Sequence, residues 1–360
     1  MSENVYTELR DMLDKMPNGF PPTEDGIELK ILKKIYSEEE AGIALKLKMK
    51  YESPDAIAAR TGMDADYLKT KLKEMAGKGQ IMEVVIGGNY IYKMIPFVFG
   101  IYEWQLYRMD REFAEMTERY FAREFGRELH GHGPSIGKVV PIEAEIPGGT
   151  VVEPYQSISS IIENAKAWAV DECICKKEKA LLGKGCDAPR EVCIGVAPLE
   201  NFFDTFFWGK PITKEEAFRI LKLSEEAGLV HMTTNQRQGQ IFICNCCGCC
   251  CGVLRGINEM GKLNAIAHSN YRAVVETDLC TACGVCLDRC QVRAIDMEDA
   301  ALVNERCIGC GLCVTTCPTE AIRLVRRQDE ELEYVPEDEK DWMRKRAASR
   351  GRDDYKELLK

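Results

Sequence analysis

The stretch "CTACGVCLDRC" at residues 280–290 returns in a slightly altered form as "CIGCGLCVTTCP" at residues 307–318. Both stretches contain four cysteines with the spacing C-x2-C-x2-C-x3-C, and each cysteine of the second lies 27 residues after its counterpart. The match also includes a glycine, since Gly284 corresponds to Gly311. Repetition of this kind indicates two copies of one small structural unit that pack against each other.

The repeat resembles the bacterial-type two-cluster ferredoxins over residues 272–326, which is about 55 of the 360 residues. This resemblance implies a βαβ pseudo-repeat that binds two [4Fe–4S] clusters and carries electrons one at a time. In that family the fourth cysteine of each motif binds the cluster of the other motif. One cluster would then be held by Cys280, Cys283, Cys286 and Cys317, and the other by Cys290, Cys307, Cys310 and Cys313. Gln291 stands where the family usually has proline, and zinc is the alternative metal for such cysteines.

All eighteen cysteines of the chain lie between Cys173 and Cys317. The N-terminal residues include acids and lack the apolar segment of a signal peptide, and no apolar run approaches about 18 residues. We therefore expect a cytoplasmic protein without a membrane span, in a compartment where thiols stay reduced and disulfides are rare. So many cysteines in such a chain indicate metal binding, and oxygen-sensitive clusters favour an anaerobic metabolism.

Ten cysteines lie outside the repeat, and six of them fall within the stretch "IFICNCCGCCCG" at residues 241–252. The ten are Cys173, Cys175, Cys186, Cys193, Cys244, Cys246, Cys247, Cys249, Cys250 and Cys251. The first four form a group with the spacing C-x-C-x10-C-x6-C, and the basic residues between them favour thiolates: Lys176, Lys177, Lys179 and Arg190. We expect the ten to bind one or two additional iron–sulfur clusters, with a structural zinc or a dithiol redox centre as alternatives. The run is similar to the CCG motifs of heterodisulfide reductases, but its spacing differs, so no residue assignment follows.

The first 97 residues contain a recognisable order of elements. Two amphipathic segments precede the short capped segment "SPDAIAARTG", a second capped helix, and two β-rich runs around a Gly-Gly-Asn turn. This order resembles a winged-helix domain, which binds DNA or serves as a scaffold that docks a partner or joins copies of the chain. The region has 14 basic and 16 acidic side chains, and the whole chain has a net charge of −10, so the charge argues against nucleic acid.

The pattern predicts an α+β multidomain protein. After the winged-helix-like domain (1–97) we expect a linking helix (98–135, with a long aromatic helix at 101–129), a cysteine-rich α/β domain (136–271), the ferredoxin module (272–327) and a charged helical tail (328–360) that forms a solvated arm. Within the central domain, "KVVPIEAEIP" and "TVVEPYQ" are predicted strands and "SISSIIENAKAWAV" is a predicted helix.

These features predict an iron–sulfur electron-transfer protein whose N-terminal domain docks a redox partner. The identities of the electron donor and acceptor do not follow from the sequence. Two alternatives remain: a DNA-binding regulator that senses cluster state, and an oxidoreductase component that reduces a small substrate with central cysteines or a cluster. No motif for a flavin or nicotinamide site supports a further cofactor.

Overall fold

Helices dominate the first third of the chain and strands its middle, in a computed structural model that describes residues 2–148 and 152–360. The protein is a mixed helix-and-sheet (α+β) structure. The first helices are α1 (Ser2–Lys15), α2 (Ile27–Ile35), α3 (Glu38–Ala44), α4 (Pro54–Thr61) and α5 (Ala65–Gly77). None of the described helices is long and apolar enough to cross a lipid bilayer.

The predicted helix within "SPDAIAARTG" and the predicted hairpin are both confirmed. The side chain of Ser53 accepts a hydrogen bond from the backbone N–H of Ala56 and begins α4, and Gly62 ends it with a φ of +74°. Strands β1 (Met82–Ile86) and β2 (Asn89–Lys93) pair antiparallel. The resemblance of this arrangement to a winged helix stays a prediction.

The prediction of one long helix over residues 101–129 is wrong. This segment contains a 3-10 turn at Glu103–Arg108, then α6 (Arg111–Phe121) and α7 (Glu124–Gly131). Asp110 starts α6 because its carboxylate accepts the backbone N–H of Phe113 at 2.8 Å. Arg123 separates the two helices because its φ and ψ of −124° and −111° are not helical.

A six-stranded antiparallel sheet forms the middle of the molecule, in the order β3-β7-β8-β5-β4-β6. Its strands are β3 (Gly137–Val139), β4 (Ala167–Glu172), β5 (Glu191–Ala197), β6 (Lys210–Ile212), β7 (Val230–Thr234) and β8 (Phe242–Cys246). Four helices accompany them: α8 (Ile158–Asn164), α9 (Ile174–Leu181), α10 (Phe202–Thr205) and α11 (Lys214–Glu226).

Three predictions for this region need correction. The strand predicted in "KVVPIEAEIP" ends at Val139, and a 3-10 turn follows at Glu143–Glu145. In "TVVEPYQ", residues 150–151 lie outside the described residues and Pro154–Gln156 is a 3-10 turn. Only the first part of the helix predicted for "SISSIIENAKAWAV" forms, and this part is α8. The residues from Ala167 onward belong to β4, which pairs with β5 on one side and with β6 on the other.

The cysteine repeat folds into two short antiparallel pairs. The elements after the sheet are two helices, α12 (Gly252–Asn258) and α13 (Val285–Arg289), and four short strands. The strands are β9 (Tyr271–Val275), β10 (Ile295–Met297), β11 (Ala301–Val303) and β12 (Ile322–Arg326). Strand β9 pairs with β12, and β10 pairs with β11. Each pair therefore joins a strand of the first repeat to a strand of the second.

The C-terminal segment is not the solvated arm that its charges predict. Helix α14 (Glu339–Ser349) buries Trp342, Met343, Arg346 and Ala347 on one face. The fully buried guanidinium of Arg346 donates to four backbone carbonyls, those of Pro17, Leu129, His132 and Pro134, at 2.7–3.1 Å. Arg346 therefore ties the C-terminal helix to the N-terminal region and to the end of α7.

We predict that Arg346→Met destabilises the protein by about 3 kcal/mol, because buried carbonyls lose a charged donor while the apolar volume is kept. Urea unfolding of the whole protein measures the change. Arg344→Met is the matched control, since the Arg344 side chain is 65% exposed and should change stability little. Equal midpoints for the two variants would contradict this role of Arg346.

Candidate metal centres

The first group of cysteines lines a small cavity between the two repeats. Its sulfur atoms belong to Cys280, Cys283, Cys286 and Cys317, and the rest of the lining is mainly apolar, including Val285, Met297 and Ile322. Gly284 has a φ of +80° and starts α13, which places Cys286 in its first turn. Cys317 comes from the second repeat, so both repeats are needed to complete this cavity.

A second cavity is lined by Cys290, Cys307, Cys310 and Cys313. Cys290 lies at the C-terminal end of α13 in the first repeat, and the other three belong to the second. Each cavity also has a backbone N–H group that faces a sulfur atom. In the second cavity Ala294 donates to Cys290 Sγ at 3.1 Å, and in the first cavity Ala301 donates to Cys280 Sγ at 3.4 Å. Such bonds stabilise a thiolate that carries negative charge.

The donor set of both cavities fits a metal cluster. Burial raises the pKa of Cys286 and Cys290, and raises the pKa of Cys310 to about 12. Burial therefore favours the protonated form of Cys286, Cys290 and Cys310 when no metal is bound. A cluster held there takes thiolates as ligands, so its binding releases protons.

Four of the ten central cysteines form a compact quartet, namely Cys186, Cys247, Cys249 and Cys250. Their sulfur atoms all lie within 4.8 Å of one another. Three of the separations are 3.7 Å: Cys186 to Cys247, Cys186 to Cys250, and Cys249 to Cys250. Among the described residues, no other group of three or more Cys, His, Asp or Glu side chains has its potential ligand atoms this close together.

The other six cysteines form a continuous array of thiols. In order of contact these are Cys193, Cys244, Cys246, Cys251, Cys175 and Cys173. The antiparallel register of β5 and β8 places Cys193 opposite Cys244, next to the pair Ile194 and Ile243. Cys173 and Cys251 precede the first residues of α9 and α12.

The structure does not bring together the four cysteines that have the spacing C-x-C-x10-C-x6-C. Cys186 lies in the loop between α9 and β5 and joins the compact quartet. Cys173, Cys175 and Cys193 belong to the six-cysteine array. Spacing along the chain cannot separate the two sets, because the partners of each come from the same run of cysteines at residues 244–251.

Among the four basic residues near these cysteines, Lys176 faces the thiols. Its buried ammonium donates to the carbonyls of Pro189 and Asn245 at 2.7 and 3.2 Å. The neighbouring Cys250 thiol, together with the charge of Lys176, lowers the pKa of Cys247 to about 5. Lys179 pairs instead with Glu118, as Lys177 and Arg190 do with Glu172.

An apolar cavity of about 330 Å³ adjoins the six-cysteine array, and both Cys193 and Cys244 contribute to its wall. Aromatic rings supply much of the remaining lining, including Trp104, Phe206 and Trp208. Glu103 also lines it; burial raises the pKa of this carboxyl to about 8, and it accepts the backbone N–H of Gly100 at 2.7 Å. No local motif reveals this cavity, because its walls come from distant parts of the chain.

Gln291 joins the compact quartet to the second cavity of the repeat, because it directly follows Cys290. Its side-chain oxygen accepts the backbone N–H of Gly248 at 2.7 Å, and Gly248 lies between Cys247 and Cys249. Asn258 bridges the same two residues by donating to both of their carbonyls, at 3.0 and 2.9 Å. The departure from the usual proline therefore serves a contact between the repeat and the central region.

Residues 301–323 match the family of 4Fe-4S binding domains. No curated protein matches the chain. The match and the clustered cysteines together show an iron–sulfur protein that binds at least one [4Fe–4S] cluster.

The repeat contains a natural pair of positions for testing the second cavity. Gly309 and Ala282 are equivalent residues with φ of +70° and +52°. A Cβ at Gly309 would lie 2.0 Å from the carbonyl oxygen of Tyr271. We predict that Gly309→Ala removes about four irons per chain, since the loop cannot close around one cluster.

Iron analysis of the anaerobically purified protein measures this loss. The matched control is Ala282→Gly, which removes a side chain from a strained position and should keep the full iron content. If Gly309→Ala also keeps the full iron content, the loop between Cys307 and Cys310 does not depend on Gly309 to position its ligands.

Proposed function

We propose that this protein transfers electrons one at a time through two [4Fe–4S] clusters held by the cysteine repeat. The observation that carries this proposal is the presence of two separate cavities, each lined by four cysteines, three from one repeat and one from the other. We assign Cys280, Cys283, Cys286 and Cys317 to one cluster, and Cys290, Cys307, Cys310 and Cys313 to the other. When bound, such clusters supply reversible one-electron chemistry that needs no proton.

The two cavities differ in how far their surroundings are exposed, which suggests which of them meets a partner. Around the first cavity Cys283 is exposed, and the apolar side chains of Leu279 and Val285 are also exposed. An exposed apolar rim suits brief docking of a redox protein. None of the four cysteines of the second cavity is exposed, and Gln291, which follows Cys290, contacts the turn of the compact quartet. We therefore propose that this cavity faces the internal acceptor or donor.

The six-cysteine array is our candidate for one further iron–sulfur centre. Cys246 and Cys251 lie in its middle, and both are nearly fully buried. Four of the six thiols would suffice for one cluster. The two thiols at the apolar cavity, Cys193 and Cys244, could then remain available for other chemistry.

We propose that the N-terminal winged-helix-like domain docks a partner protein. Two of the three lysines of α5 have acidic neighbours: Lys69 pairs with Asp55 and Asp66, and Lys71 with Glu39 and Glu74. The third, Lys73, lies over the ring of Tyr90. These pairs leave little free positive charge for phosphates, which DNA binding requires. This supports a protein partner over nucleic acid.

Electron paramagnetic resonance of the dithionite-reduced protein, with spin counting, tests the main proposal. We expect signals from at least two spins that interact, because the cavities are adjacent. Cys283→Ser should change the signal of one cluster, and Cys310→Ser that of the other. A colourless protein with no signal after anaerobic purification would contradict the proposal.

A second candidate function is reduction of a small apolar substrate at the central cysteines. The cavity bordered by Cys193 and Cys244 favours it, since its lining is almost entirely apolar. A disulfide substrate, for example, would take two electrons and two protons and leave as two thiols.

We predict that Ala197→Trp abolishes binding of an apolar aromatic probe, because Ala197 lines the cavity and the new ring would fill it. Equilibrium dialysis of the whole protein with naphthalene measures binding. Leu223→Trp is the control, since Leu223 is exposed on α11 and does not line the cavity. Equal binding by both variants would exclude this cavity as the site.

A further inference from the structure

We propose that the compact quartet binds a single zinc ion as a closed four-thiolate site, separate from the iron–sulfur clusters. The ligands are Cys186, Cys247, Cys249 and Cys250. This goes beyond the electron-transfer function, because zinc does not change its oxidation state. The role that the geometry assigns to the ion is structural.

The distances between the sulfur atoms carry the argument. Four thiolates around one zinc, each at about 2.3 Å in tetrahedral directions, lie roughly 3.8 Å from one another. Three pairs of the quartet are separated by 3.7 Å, and all its sulfur atoms lie within 4.8 Å. In a [4Fe–4S] cluster each thiolate binds a different iron, so the four sulfur atoms stand further apart.

The ferredoxin cavities of the same structure provide the comparison. In the described residues, no three cysteines of either cavity come as close together as those of the quartet. The quartet is thus more compact than the two sites to which we assign clusters. A tetrahedral set of four sulfur ligands at this separation is typical of a single metal ion.

Lys176 indicates negative charge among the central cysteines, because its ammonium interacts with Cys247 of the quartet and also with Cys173 of the array. Its side chain is 3% exposed, and its two hydrogen bonds go to backbone carbonyls. Within the described part of the chain, no carboxylate lies within ion-pair distance of it. A buried ammonium needs a nearby anion, and zinc with four thiolates carries two net negative charges.

The position of the quartet indicates what the ion stabilises. Cys186 comes from the loop before β5, whereas the other three come from the turn after β8, so one ion would join two separate segments. The same turn holds Gly248 against Gln291, the residue after Cys290. Zinc at this point would fix the central sheet against the second ferredoxin cavity. Cys249 is exposed, which leaves a route for the metal to enter.

Metal analysis of the whole protein, purified anaerobically, tests the proposal. We expect one zinc per chain in the wild type, none in Cys247→Ser, and one in the control Cys244→Ser, which alters the six-cysteine array instead. Zinc retained by Cys247→Ser would overturn the proposal. So would wild-type protein that lacks zinc and shows additional iron and sulfide that Cys247→Ser removes.

A measurement on the unaltered chain covers the case in which Cys247→Ser does not fold. Protein produced with cobalt in place of zinc should show the absorption bands of cobalt in a tetrahedral four-thiolate site; their absence would overturn the proposal. Iron is measured in the same samples, so the two proposals can fail separately. Zinc without iron would refute the electron-transfer function alone, and iron without zinc would refute the zinc site alone.

Discussion

Close packing of cysteine thiols is the constraint on which this structure depends. Eighteen cysteines lie in less than half of the chain, and they gather into four sets of facing sulfur atoms. Buried thiols can be this close only if they stay protonated or if a cation shares their negative charge. Metals satisfy the second condition. They also give the repeat, whose strands are only three to five residues long, a source of stability beyond its small apolar core.

The four sets are linked through the backbone as well as through their positions. Cys290 and Gln291 are consecutive, and Gln291 holds the turn of the compact quartet. That same turn continues into Cys251, which belongs to the six-cysteine array. Cys283 of the repeat is exposed, so under our proposal a redox partner would approach the molecule on this side.

Sequence reasoning succeeded where the deciding interactions are local. The caps of α4 and the Gly87-Gly88 turn of the hairpin lie within a few residues of the elements that they define. It failed for the helix over residues 101–129, because Asp110 caps a new helix within a continuous aromatic pattern. The prediction of a solvated arm for residues 328–360 is wrong because the many charged residues of α14 obscure the face that it buries. The hydrogen-bond partners of Arg346 also lie more than 200 residues away in the sequence, so no local pattern reveals them.

The same difference between local and long-range interactions decides how much of the candidate sites the sequence predicts. The resemblance to ferredoxins implies two sets of four cysteines, and each of these sets lines one cavity in the structure. The number of the other ten cysteines indicates metal binding, but it does not divide them between the quartet and the array. That division depends on the pairing of β5 with β8 and on the loop that carries Cys186. The apolar cavity was missed for the same reason, since its lining is assembled only by the tertiary fold.

Native mass spectrometry of the whole protein, kept free of oxygen, tests the central claim most directly. The measured mass should exceed that of the polypeptide by at least two [4Fe–4S] units, roughly 350 Da each. A polypeptide that carries zinc alone, with no such increment, would contradict our account of the repeat.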